Sequence, residues 1–157
     1  MPSEPISHVS SFSLRAAALA ALALAGAACL APAQAALPAL QHQGGVDYVS
    51  GGIGIDESTS FKDAMRDFPL SMTFDQRAPG QGPGDYVADV QVGITDAQGR
   101  SVLDATAQGP YLLVRLPDGQ YRVKATYQGR TQTREVTIGG KKPAHLGFSW
   151  PEQAGKP

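Results

Sequence analysis

The residues of this 157-residue chain best suited to nucleophilic or metal chemistry are few: one cysteine, Cys29, and three histidines. His42 and His145 are the two histidines beyond the N-terminal segment, and they stand far apart in sequence. A zinc site needs three or four converging ligands. No H-E-x-x-H, C-x-x-C or G-x-S-x-G pattern occurs, and no D-x-[DN]-x-[DN]-G calcium loop. The sequence therefore offers no catalytic residue, metal or cofactor, and the expectation is a non-enzymatic protein. Enzyme chemistry would require His145 to meet an acid such as Asp104 or Glu135 in a cleft. The segment Ser50-Gly51-Gly52-Ile53-Gly54 precedes a helix-like stretch and could offer an anion a helix N-terminus. No Lys-Ser or Lys-Thr follows, and Asp56 and Glu57 would repel phosphate, so a structural Gly-rich turn is expected.

Two further sets of residues could recognise a partner. Acids dominate from Asp47 to Asp104, whereas Arg115, Arg122, Lys124, Arg130, Arg134, Lys141 and Lys142 outnumber Asp118 and Glu135 in the stretch that follows. Arg122, Lys124, Arg130 and Arg134 are expected on one hairpin, as an interaction face for an acidic partner. The plain alternative is a solvated sheet face, or a match to the acidic half of the chain. Tyr48, Tyr111 and Trp150, with Tyr86, are candidates for a flat sugar-binding platform, although Trp150 and Tyr86 fall in phase with apolar stripes and Trp commonly packs between sheets. The formal net charge of -1 gives no global field for nucleic acid or an anionic membrane.

These residues must be positioned by strands. From Phe68 onward apolar residues recur with period two. Leu70, Met72 and Phe74 form one stripe, Ala88, Val90, Val92 and Ile94 a second, and Leu112, Val114 and Leu116 another. Ser101 to Thr106 is a short strand, and Tyr121, Val123, Ala125 and Tyr127 give the clearest alternation. Arg130 to Ile138 runs back after a Gln128-Gly129 turn, and Leu146, Phe148 and Trp150 are the last stripe. That makes about seven strands, each with one apolar face. Such faces need a second sheet, so an all-β, antiparallel sandwich is expected, with an eight-stranded barrel as the alternative. Before it, Asp56 to Asp67 reads as one short helix outside the sandwich. Asp56 or Ser58 would cap it, Phe61 and Met65 would share a face, and Pro69 would follow its end. Ala36 to Gly45 reads as a loose lead-in.

The stretch Leu116-Pro117-Asp118-Gly119-Gln120-Tyr121-Arg122-Val123-Lys124-Ala125-Thr126-Tyr127-Gln128-Gly129 reads L-P-x-G-x-Y-x-V-x-A-x-Y-x-G. With the upstream Asp96-Ala97-Gln98-Gly99 turn and downstream Val136-Thr137-Ile138, it resembles the carboxypeptidase regulatory-like domain over about residues 86–138. The resemblance implies a transthyretin-like, carbohydrate-binding-like sandwich of seven strands that serves as an accessory or binding piece. The motif is a turn plus a core strand and carries no activity of its own. The enzyme of the wider transthyretin-like fold that opens hydroxyisourate needs clustered histidines and a terminal Tyr-Arg-Gly-Ser. This chain ends Phe-Ser-Trp-Pro-Glu-Gln-Ala-Gly-Lys-Pro.

Arg15 precedes the small-apolar run Ala16 to Ala28, and Ala33-Gln34-Ala35 follows it. This is the pattern of a secretory signal peptide cleaved near Ala35. The run is short of the roughly 20 apolar residues of a transmembrane helix. Gly26-Ala27-Ala28-Cys29 also resembles a lipobox, and acylation at Cys29 is the rival reading. The expected organisation is a signal peptide over 1–35, an extension with a short helix over 36–67, a sandwich over 68–151 and a tail over 152–157. The expected place is the periplasm or the extracellular space. The expected role is a binding or accessory module for an envelope protein, or alternatively for a polysaccharide.

Overall fold

The computed structural model describes residues 36–78, 80 and 82–152. The expected signal peptide, Cys29 and most of the expected tail lie outside the described residues. Among the described residues no helix is long and apolar enough to cross a membrane.

Among the described residues the chain folds as two sheets packed face to face, with one short helix. Ten strands form: β1 (Gln41–Gln43), β2 (Val46–Gly51), β3 (Leu70–Arg77), β4 (Asp85–Tyr86), β5 (Val90–Asp96), β6 (Ser101–Ala107), β7 (Tyr111–Arg115), β8 (Gly119–Tyr127), β9 (Arg130–Ile138) and β10 (Ala144–Pro151). The first sheet has the order β1-β2-β7-β3-β10, with β4 added to β3, and the second has the order β6-β5-β8-β9. The seven strands marked by alternation are β3 and β5 to β10. The three others are short, or lie in the Gly-containing N-terminal piece where alternation is weak. One pairing departs from an all-antiparallel sandwich: β10 lies parallel to β3, with Met72 beside Leu146 and Phe74 beside Phe148.

The inner stripes meet as expected. Met72, Phe74, Val92, Ile94, Leu112, Val114, Val123, Ala125, Phe148 and Trp150 are buried in one cluster. At its β10 side the Phe74 and Phe148 rings lie 5.9 Å apart, and those of Phe148 and Trp150 6.2 Å apart. Burial of this apolar area supplies the main driving force for folding.

Strand β7 is buried on both faces, which a half-buried sandwich strand would not be. The cause is α1 (Ile55–Ala64), followed by a 3-10 turn at Met65–Asp67. The helix lies where the sequence places it, and it seats Phe61 on the outer face of the first sheet with Val49, Phe68, Tyr111 and Leu113. The Phe61 and Tyr111 rings stack at 5.7 Å. The N-cap is Gly54 with no side-chain cap bond, not Asp56 or Ser58. Those two positions fall inside the helix, where Asp56 and Glu57 favour its N-terminal dipole. The lead-in also differs from expectation. Residues 41–43 pair with β2, and β2 pairs with β7, so the N-terminal extension is part of the first sheet.

The Gly-rich segment is a packing device. Gly52 has φ of 96°, and a Cβ there would run into the Tyr111 ring. Gly52→Ala therefore combines left-handed strain with a clash in a well-packed cluster. The expected loss is about 2–3 kcal/mol, read as a lowered urea midpoint, whereas Gly54→Ala meets no neighbouring atom and carries only the backbone strain.

Candidate functional site

The four arginine and lysine positions singled out by sequence do not form one face. The β8–β9 hairpin turns through Gln128 and Gly129, both at positive φ, and sets Tyr127 opposite Arg130. That register places Val123 opposite Arg134 and Ala125 opposite Gln132. Residues directly opposite share a face, and Val123 and Ala125 point into the core. Arg130 and Arg134 therefore belong to the inner side of the sandwich, at its margin. Arg122 and Lys124 lie on the outer face, with Glu135 and Thr133 beside them. Arg122 is already paired to Glu135 at 2.9 Å, with both side chains largely exposed. Such a pair contributes about 0–1 kcal/mol.

The inward arginines close the gap between β9 and β10. The Arg130 guanidinium donates to the Pro151 carbonyl at 3.0 Å, and Trp150 Nε1 donates to the Arg130 carbonyl at 2.9 Å. Gln132 donates to the Ser149 carbonyl at 2.7 Å. The Arg134 guanidinium sits 5.4 Å from the centre of the Phe148 ring, within reach of a cation–π attraction. Both sheets thus end on the same side of the molecule, joined by side chains.

The two edges of the second sheet are treated differently. At β6 the N-terminal hairpin covers the edge: the Asp104 N–H donates to Gln43 Oε1 at 3.0 Å, and Gly44 packs against the Val102 carbonyl. At β9 no further strand is paired among the described residues. The two-residue turn makes Tyr127 and Arg130 the closing hydrogen-bonded pair. By the alternation of an antiparallel ladder, Thr131, Thr133, Glu135 and Thr137 then direct their N–H and C=O groups away from β8. All four residues are exposed, and no backbone partner meets these groups among the described residues. Sequence reading found this strand but not its edge position, because strand order cannot be read from alternation.

The aromatic residues are dispersed. Trp150 is 2 % exposed and lies in the main core, and Tyr111 is 1 % exposed in the cluster under α1, on the opposite face of the first sheet. Tyr48 is partly buried against the main core, and its hydroxyl donates to Gln41 Oε1. The platform of Tyr48, Tyr111 and Trp150 is not assembled, because two of the three rings fill apolar space between layers. Tyr86 departs from its apolar phase and is 56 % exposed, its ring 5.6 Å from that of Tyr111.

The histidines are also apart. His42 Nδ1 meets Asp47 Oδ1 at 2.7 Å on the exposed N-terminal hairpin. His145 stands on β10, between Ser71 Oγ (3.0 Å from Nδ1) and Thr73 Oγ1 (3.3 Å from Nε2). Its hydrogen-bond partners are these two hydroxyls, and neither Asp104 nor Glu135 bonds to it among the described residues. Among the described residues no group of His, Cys, Asp and Glu could hold a metal ion. His145 is exposed on β10, but desolvation of its imidazole holds it below the usual histidine range. The unfolded chain then binds the extra proton more readily than the folded one, so stability is full above the ordinary histidine pKa and declines as pH falls through it. A melting temperature measured from pH 7.5 to pH 5 is expected to fall, and His145→Gln to flatten that part of the slope.

No protein-family model and no curated protein sequence matches the chain. Among solved structures, similarity is found to the structure titled "Crystal Structure of S.CueP", with 12 % identity and a TM-score of 0.39 over 49 % of this chain and 59 % of that one. It is also found to "The Bacillus anthracis TIE protein", with 15 % identity and a TM-score of 0.36 over 53 % of this chain and 16 % of that one. The chain thus spans less than two thirds of either structure, and the all-β sandwich rests on its own strand pairing.

Proposed function

We propose that the chain is an exported, non-enzymatic binding module of the cell envelope that takes a protein partner by strand addition along β9. The observation that carries the reading is the contrast between the two edges of the second sheet: β6 is covered by Gln43 and Gly44, whereas the outward backbone groups of Thr131, Thr133, Glu135 and Thr137 on β9 meet no backbone partner among the described residues. Exposed edges invite pairing with another chain, and proteins that do not use them blunt them. Main-chain hydrogen bonds would supply affinity and alternate side chains specificity. Arg134 restrains self-pairing. A second copy crossing antiparallel at this residue would set Arg134 against Arg134, whereas a strand with an acid there would be favoured. Export is supported by the Arg15–Ala35 pattern, and a carboxypeptidase regulatory-like accessory role by the Leu116–Gly129 motif.

The test is a photo-crosslinking side chain placed at Thr131 or Thr137 of the full-length protein in its own cells, compared with one at Gln91 on the sheet face. One protein adduct shared by the two edge positions and absent at Gln91 supports strand addition. An adduct at Gln91 alone moves recognition to the face. Polysaccharide adducts without protein favour the glycan-binding alternative.

A further inference from the structure

The β9 strand ends at a cleft. Arg66 and Asp67 from the 3-10 turn, Asp118 from the β7–β8 turn, and Gly139 to Lys142 from the β9–β10 loop surround a cavity of about 270 Å³. Its floor includes Phe68 and Ile138, both buried. Arg66, Lys141 and Lys142 are exposed, and none forms an ion pair among the described residues. Three cations and two carboxylates leave the cleft with one net positive charge. Gly140, at φ of 99°, turns the chain there in a conformation that favours glycine. Among the other exposed cations, Arg122 is paired to Glu135, Arg77 to Asp75 and Arg100 to Asp96, whereas Lys62 and Lys124 form no ion pair among the described residues and stand on the helix and on the outer face of β8, away from this cleft.

We propose that this cleft holds the carboxylate of an acidic peptide segment, the end of a partner strand laid along β9. The inference rests on the strand-addition reading. Two details select the ligand. The three cations attract a carboxylate, while Asp67 and Asp118 accept hydrogen bonds from its amide neighbours and oppose the second charge of a phosphate dianion. Ile138 belongs both to β9 and to the cleft, so an added strand leads into it.

The probe is fluorescently labelled hexaglutamate, with binding to the full-length protein followed by anisotropy at low salt, where exposed charges are least screened. The unsubstituted protein is expected to bind. Lys141→Ala/Lys142→Ala is expected to weaken binding by about tenfold or more, while Arg122→Ala/Lys124→Ala changes it by no more than about twofold. Both pairs are exposed, and unchanged melting temperatures exclude misfolding. No binding, an equal loss in both pairs, or displacement by inorganic phosphate at concentrations matched to the peptide would overturn the inference. Failure of the strand-addition reading looks different: the edge crosslinks at Thr131 and Thr137 vanish while hexaglutamate still binds. Failure of the cleft alone leaves those crosslinks in place.

Discussion

Trp150→Ala is expected to remove about 3–5 kcal/mol of stability, the usual range for truncating a large buried aromatic side chain. Trp150 has almost no exposure, lies 6.2 Å from the Phe148 ring and 5.5 Å from the Tyr127 ring, and ties β10 to β9 through its Nε1 bond to Arg130. The substitution leaves a cavity between the sheets and strips the Arg130 carbonyl of a donor. Domains of this size are stable by only about 5–15 kcal/mol, so the change consumes a large share of the total. Urea unfolding reads it as a strongly lowered midpoint. The same experiment separates the two roles the sequence left open for this residue. A loss under about 1 kcal/mol, with polysaccharide binding abolished, would make Trp150 a surface ring and restore the sugar platform.

Thr133→Pro is expected to do the opposite: leave the fold nearly intact and abolish partner binding. The Thr133 N–H points away from β8, so proline removes no bond of the β8–β9 ladder, and edge positions facing solvent are those where strands tolerate it. The expected cost in stability is about 1–2 kcal/mol at most. A partner strand loses the central donor of the edge and meets a ring in its path, so affinity for the crosslinked partner is expected to fall by at least about tenfold. Thr133→Val keeps the N–H and is expected to bind as the unsubstituted protein does. Loss of binding in both variants would place the contact on the threonine side chain, and with it on the sheet face.

How much of this could be read from sequence differs by element. The stripes Met72–Phe74, Val90–Ile94 and Tyr121–Ala125 declare themselves because each strand has one face in the core and one in water. The helix followed from Phe61 and Met65 on one face. β7 was only half legible, because Tyr111-Leu112-Leu113-Val114 is apolar on both faces and the helix that covers the outer one is remote in sequence. The parallel β3–β10 pair joins the two ends of the sandwich and leaves no local signal. The interaction site was least legible. Composition shows seven cations between Arg115 and Lys142, but their sorting depends on register. The hairpin turns Arg130 and Arg134 inward, salt-bridges Arg122, and leaves Lys141 and Lys142 to line one cleft with Arg66, which precedes β3. Arg130-Thr131-Gln132-Thr133-Arg134-Glu135-Val136-Thr137-Ile138 does carry one signal: its inward stripe is polar at one end, as fits a strand at the sandwich margin.

The most direct test is amide hydrogen exchange, followed by NMR, on the protein alone and bound to the partner recovered by edge crosslinking. Strand addition predicts new protection at Thr131, Thr133, Glu135 and Thr137 on binding, while Gln132, Arg134 and Val136, already bonded to β8, change little. Four edge amides that still exchange freely in the complex, with chemical-shift changes confined to Gln91, Lys124 and Thr126, whose residues pair between β5 and β8, would contradict it and assign recognition to the outer face of the second sheet.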